Sequence, residues 1–205
     1  MEAPVRLVVW SDYLCPWCYV AATRLHRLQE EAGDRVALEW RSFLLRPYPD
    51  RTRSLEQFRT YTRSWARPAA EPDAPVFRPW ESDAGPPSHS MPPHLVAKAA
   101  ATCGAGAFER MHARLLAAYF SENLDITDAA TLVALWTEVG LPAGEFGRAG
   151  DQALLETVVR EHNEAIAIGL TGVPAVQMAG NDVPLPGALP YESYRRWVDR
   201  ALAAG

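Results

Sequence analysis

The sequence predicts an α/β fold in which a strand-helix-strand opening and a helix-strand-strand-helix ending are separated by a helical insertion. Three observations carry this. A short apolar run, Val5 to Trp10, leads directly into a helical pattern and then into a second strand pattern that begins at Val36. A stretch dense in proline, Pro68 to Pro93, separates that opening from helices rich in alanine and leucine. A last long helix gives way to a hairpin signal at Ala179-Gly180-Asn181-Asp182 and then to a terminal helix. With 205 residues the chain suffices for one buried core and is short for two independent domains. The expected division makes 1–48 and 151–205 two parts of one domain, with 49–150 inserted between them as a helical one.

Taken in order, Val5 to Trp10 is continuously apolar, as a strand buried on both faces must be, and Ser11-Asp12 ends it. From Pro16 to about Glu31, Val20, Leu25 and Leu28 recur at helical spacing, and Gly33 is placed to end that helix in a left-handed conformation. Val36, Leu38 and Trp40 alternate with Ala37, Glu39 and Arg41 ahead of Phe43-Leu44-Leu45, which gives the second strand. A short helix is expected near Leu55 to Trp65. The prolines that follow lack amide donors and have fixed torsions, so 68–93 should be an extended surface connection. His94 to Phe120 reads as two helices or one broken at Gly104 and Gly106, and Thr127 as the cap of another that Gly140 and Pro142 stop. A helix over about Asp151 to Ile168 precedes a strand at Ala175 to Met178. The return strand contains Pro184 and Pro186 and belongs at a sheet edge, and Pro190 starts the terminal helix.

Composition narrows the function. Hydrophobic residues make up 48% and charged residues 22%, ordinary values for a globular chain. A formal charge of -5 and a pI near 5.6, with no basic stripe, leave no footprint for nucleic acid. The first ten residues lack a cationic segment followed by a long apolar one, and no apolar run approaches the roughly 20 residues of a membrane span. The expectation is a cytoplasmic protein that does not engage a membrane. Lys98 is the only lysine among 20 basic residues and reads as composition bias.

The chemistry lies in Cys15-Pro16-Trp17-Cys18. Two cysteines separated by two residues at a helix start place both sulfurs on the first turn, within reach of a reversible disulfide. Pro16 fits the first helical position, which makes Cys15 the cap. A thiolate there faces free amides and the positive end of the helix dipole, so its pKa should fall from about 8.5 into the range of about 3.5 to 7.5. Cys15 is the expected nucleophile, and Cys18, one turn deeper, the thiol that resolves a mixed disulfide. Pro16 and Trp17 tune the redox potential. Zinc needs about four ligands, yet there is no second cysteine pair and the five histidines have no paired spacing, so a metal is disfavoured.

The element order resembles the thioredoxin fold with the helical insertion of the DsbA family, over essentially the whole chain. Asp12 to Tyr19 around the cysteine pair, the Ser121 to Asp128 segment, Gly172-Val173-Pro174 and Leu185-Pro186-Gly187-Ala188 together resemble its FrnE-like, cytoplasmic branch. The resemblance implies a cis peptide bond before Pro174, opposite the cysteines, with Val173 and Pro174 as the substrate-binding platform where main-chain hydrogen bonds hold an extended guest. It implies thiol-disulfide exchange with disulfide-containing proteins or peptides. Beyond the redox-active disulfide no cofactor or metal is called for, and glutathione or thioredoxin-type thiols are possible co-substrates. Two alternatives stay open. Kappa-class glutathione transferases and 2-hydroxychromene-2-carboxylate isomerases share the fold but generally have serine where Cys15 stands, and a peptide-binding, chaperone-like protein would use the groove without the thiols.

Weaker candidates read as structural. Cys103 lies in an alanine-rich helix and is expected to be a small core residue, and Trp40, Trp65, Trp80, Trp136 and Phe120 could line a groove but suit a core better. Glu30 and Glu39 are candidate proton acceptors for Cys18, although exposure to water is the default for glutamate. His94 opens the helical segment and is a candidate to face the active-site cleft, although exposure to water is the default for a histidine at a helix start and is the expectation here. The capped position of Cys15 generates a prediction: iodoacetamide at near-neutral pH should alkylate Cys15 well ahead of Cys18 and Cys103, as read by peptide mass spectrometry, and equal rates at Cys15 and Cys103 would remove the dipole-activated nucleophile.

Overall fold

The first strand explains why its sequence shows no alternation. Leu7 and Val9 face one side of the sheet and Val8 and Trp10 the other, and all four are buried because both sides are covered. The computed structural model describes residues 3–204. In it β1 (Val5–Ser11) is followed by α1 (Pro16–Ala32), one turn of 3-10 helix, and β2 (Val36–Ser42), which runs parallel to β1 with Val5 opposite Val36 and Ser11 opposite Ser42. Between β2 and the second half of the sheet lie α2 (Leu55–Thr62), α3 (Ala66–Ala69), α4 (Met91–Ala101), α5 (Ala107–Phe120) and α6 (Ala129–Glu138). Then come a run of 3-10 turns over Ala143–Gly150, α7 (Gln152–Ala167), β3 (Ala175–Met178), β4 (Leu185–Pro186) and α8 (Tyr191–Ala204).

The sheet order is β2-β1-β3-β4, with β3 antiparallel to both β1 and β4. This is the expected α/β fold. The proline-bearing β4 sits at the edge, where a missing amide donor costs no ladder bond. One side of the sheet packs on α1, α8 and the helices of the middle segment in a continuous core that includes Leu25, Phe58, Met111, Leu115 and Trp136. The other side holds Val8, Trp10, Phe43 and Ala175 against Ala165 of α7 and Leu170 beyond it. Each fully buried aliphatic or aromatic side chain contributes about 1.5–3 kcal/mol, so the central strand anchors both layers. No helix among the described residues is long and apolar enough to cross a membrane.

Local details depart from the sequence reading in three places. Gly33 takes the expected positive φ of 59° and its amide caps Gln29, but its ψ of -139° lies outside the left-handed helical well, because the chain turns at once into 3-10 geometry. The proline-dense stretch ends two residues early: Pro92 and Pro93 fall in the first turn of α4, where a missing amide donor is harmless. Thr127 does not cap α6. Asp128 does, accepting the Thr131 amide at 2.8 Å, while the Thr127 hydroxyl donates to Asp125 at 2.6 Å.

Arg24 ties the cysteine-bearing helix to two loops. Buried to 2% exposure on α1, it donates to Glu71 at 2.6 Å and Asp73 at 2.5 Å, and to the carbonyls of Ala188 at 3.1 Å and Leu189 at 3.0 Å. Its hydrogen bonds hold the Asp73 carboxyl below the usual carboxylate range. A depressed carboxyl pKa adds stability above the unfolded value, and that stability is lost as pH falls through the folded one. Arg24→Met should therefore cost about 3 kcal/mol at pH 7 and lose part of the destabilisation that the wild type shows in acid. Urea unfolding at neutral and acid pH reads both, and equal stabilities at pH 7 would show the cluster to be ornamental.

Candidate active site

Strand β1 delivers the chain to the start of α1 through a tight turn in which the Cys15 amide donates to the Asp12 carbonyl at 3.2 Å. Cys15 occupies the cap with extended torsions (φ -96°, ψ 113°), and Pro16 opens the helix. Its sulfur makes no cap bond to the helix amides. It donates instead to the carbonyl of Val173 at 3.3 Å, across from the first turn. The Val173-Pro174 peptide bond is cis, and the Pro174 carbonyl accepts from the Gly187 amide at 2.7 Å, fastening this loop to the edge of the sheet. The structure thus brings Cys15, Cys18, Val173 and Pro174 to one place, with Pro16 and Trp17 half-buried beside them.

The two thiols differ in environment. Cys15 retains 5% exposure and Cys18 none. Burial pushes the Cys18 thiol well up, the hydrogen bond and charge of Cys15 push it further, and the Ser11 hydroxyl and Asp12 backbone pull the other way. Beside the cis bond, Leu170, Thr171, Val173, Pro174, Pro186 and Gly187 line an open groove of about 470 Å3.

Behind the pair lies a buried polar cluster that sequence reading missed. Asp12 is fully buried, and its carboxylate accepts from the amides of Leu14 at 2.6 Å and Leu45 at 2.9 Å. Nε2 of His94, on α4, stands 3.8 Å from it. Tyr13 and Nδ1 of His112, on α5, share a hydrogen bond of 2.8 Å. Burial, and secondly the charge of Asp12, pushes the Tyr13 hydroxyl well above its ordinary range, while burial and then His26, His94 and Lys98 push His112 well below its own, so both are neutral. One turn along α4 from His94, Lys98 pairs with Glu161 of α7 at 2.6 Å, and Glu161 also accepts the Ser42 amide at 2.7 Å.

A signal for this cluster existed. His94 and Lys98 lie four residues apart in an apolar, alanine-rich helix, and that lysine is the only one in the chain. The expectation that His94 faces water is corrected, since the helix starts at Met91 and its first turn is sunk against the cysteine turn, leaving His94 4% exposed. Cys103 is half-buried rather than a core residue, because it falls in the turn after α4, where its thiol donates to the Ala99 carbonyl at 3.7 Å. Trp65, Trp80, Trp136 and Phe120 are buried in the core, and Trp40 flanks the polar cluster. Glu30 is exposed and Glu39 pairs with Arg41 at 2.6 Å.

Comparisons with known proteins bear on the family and the fold. The model of the DSBA-like thioredoxin domain family matches residues 6–198. The uncharacterised protein YwbO of Bacillus subtilis (strain 168) is 27% identical over 205 residues, 90% of either chain. A probable DsbA oxidoreductase from Streptomyces coelicolor superposes with a TM-score of 0.74 at 26% identity, over 97% of this chain and 90% of that one. The cytosolic disulfide reductase DsbM from Pseudomonas aeruginosa is 20% identical with a TM-score of 0.78, over 98% of this chain and 100% of its own, a likeness of fold. Because the family match reaches from β1 into α8 and takes in every strand of the sheet, the chain belongs to the DsbA-like thioredoxin domain family of thiol-disulfide oxidoreductases.

Proposed function

We propose that the protein is a reductase or isomerase of disulfides, working through the Cys15-Pro16-Trp17-Cys18 pair on protein, peptide or small-thiol substrates. The observation that carries the reading is the placement of the Cys15 sulfur 3.3 Å from the carbonyl of Val173, the residue that enters the cis bond. Cys15 is the nucleophile. A guest disulfide lies along the groove, its backbone held by Val173 and Pro174, and Cys15 attacks one sulfur while the other leaves as a thiolate. Cys18 then attacks Cys15, forming the internal disulfide and releasing the second substrate sulfur. Pro16 and Trp17 set how readily that disulfide is reduced again.

In this reading residues 49–150 act as a helical insertion domain that closes one side of the cysteine pair, between the two thioredoxin-like parts 1–48 and 151–205. The compartment is the cytoplasm, as for a FrnE-like relative, and the glutathione pool there keeps the pair reduced. DsbM, described as cytosolic and also solved with GSH, offers a parallel for glutathione as the recycling thiol.

Insulin reduction with glutathione as recycling thiol, run beside reactivation of scrambled ribonuclease, tests the reading. Cys15→Ser should lose both activities. Cys18→Ser should retain the first attack and accumulate mixed disulfides visible by intact mass. Wild-type rates from Cys15→Ser in both assays would discard thiol exchange in favour of a glutathione-binding or peptide-binding protein.

A further inference from the structure

Strand β2 is one edge of the sheet, and its register decides which of its backbone groups face outward. The Phe43 amide donates to the Ser11 carbonyl at 3.0 Å, and on the other flank of β1 the Ala179 amide donates to the Arg6 carbonyl at 2.8 Å. Bonding residues alternate along each strand of a parallel pair. Ala37, Glu39 and Arg41 therefore turn their amides and carbonyls towards β1, while Val36, Leu38, Trp40 and Ser42 turn theirs away. An outward row of this kind is a template for another strand unless something covers it.

Part of the row is covered from within the chain. Nζ of Lys98 donates to the Trp40 carbonyl at 3.1 Å, Oε2 of Glu161 accepts from the Ser42 amide at 2.7 Å, and just past the strand Nδ1 of His162 accepts from the Leu44 amide at 3.1 Å. The Lys98–Glu161 pair thus stands where the backbone of a next strand would run. At the other end the Val36 amide donates to the Gly33 carbonyl. Between these two caps the Val36 carbonyl, both backbone groups of Leu38 and the Trp40 amide have no hydrogen-bond partner among the described residues. Ala37, Leu38 and Glu39 are only half-buried, so this stretch of edge is not sealed by the fold.

We propose that two copies of the chain pair along this stretch, antiparallel and centred on Leu38. A two-fold axis beside Leu38 uses every free group: each Leu38 amide meets the partner's Leu38 carbonyl, and each Trp40 amide meets the partner's Val36 carbonyl. The groups that such a pairing leaves over, the Val36 amide and the Trp40 carbonyl, are the two that Gly33 and Lys98 already hold. The ends match as well. Past Trp40 the edge is filled by Lys98 and Glu161, and opposite that point the partner's chain has left the strand, since Gly33–Arg35 is 3-10 helix. A foreign peptide has no such built-in stop, whereas β2 is cut to the length of its own gap.

Side chains accept the register. Ala37 lies directly across from the partner's Glu39 in a close, non-hydrogen-bonded pair, so no like charges face each other. Glu39 is already balanced by Arg41 at 2.6 Å and Arg6 at 3.6 Å. Leu38 stands opposite Leu7, and from there β1 runs about 13 Å further to Ser11 and the cysteine turn, so the pairing lies away from the thiols. The two sheets become one, continuous from β4 of one copy to β4 of the other.

Sedimentation equilibrium combined with hydrogen exchange tests the pairing. The wild type should be a dimer at about 100 μM and a monomer after dilution, and the Leu38 and Trp40 amides should exchange about tenfold more slowly in the concentrated sample. Ala37→Glu places like charges opposite each other on both sides of the axis, yet within its own sheet it lies beside Arg6, so it should fold normally and raise the dimer Kd about tenfold. Ala37→Lys faces the partner's Glu39 and should lower the Kd, and both shifts should fade in about 1 M salt. A wild type that stays monomeric at about 100 μM overturns the proposal, as does a dimer whose Leu38 and Trp40 amides exchange at the same rate at every concentration. Folded Ala37→Glu and Ala37→Lys proteins with the wild-type Kd also overturn it. If the protein is monomeric and those amides are protected only on adding a synthetic peptide that copies residues 35–41, the edge takes a foreign strand and self-pairing is wrong.

Discussion

The fully buried carboxylate of Asp12 is the constraint around which the site is organised. An ion removed from water is costly unless donors surround it, and here the donors are the amides of Leu14 and Leu45, with His94 close by. Leu14 belongs to the turn that presents Cys15, and Leu45 to the segment that leaves β2. One carboxylate thereby fixes the cysteine turn to the far end of the neighbouring strand. The position of the Cys15 sulfur opposite Val173 follows from that clamp together with the edge bond between Gly187 and Pro174.

The sheet supplies the rigidity that the clamp needs. Burial on both faces holds β1 between two packed layers, and the cysteine turn is its direct continuation. Middle-segment helices then close the interior side: α4 contributes His94 and Lys98, and α5 contributes His112. The polar cluster is thus an interface between the segment inserted after β2 and the strands that carry the site. This arrangement explains why its members come from four distant parts of the chain. It also explains why Lys98 and Glu161 pair so closely, since each would otherwise be an uncompensated charge at the junction.

Exposure is graded across the site in the order that disulfide exchange requires. The proposed nucleophile keeps a small exposure beside the Val173 carbonyl, and the proposed resolving thiol behind it is sealed. A sealed thiol with an elevated pKa reacts only when a disulfide is delivered to it at short range, which is the situation a mixed disulfide on Cys15 creates.

The sequence alone determined the element order, the cysteine pair at a helix start and the edge strand with its prolines, because each is encoded by residues adjacent in the chain: a run of valine and leucine, a proline after a cysteine, a turn of glycine and asparagine. Boundaries such as the Asp128 cap and the early start of α4 were blurred, since neighbouring residues offer nearly equivalent hydrogen bonds. The burial of His94, the half-exposure of Cys103 and the convergence of Asp12, Tyr13, Lys98, His112 and Glu161 were decided only by the tertiary structure. Polar residues carry no local mark of whether a partner from another helix will desolvate them, and that partner is chosen by how the middle-segment helices pack on the sheet.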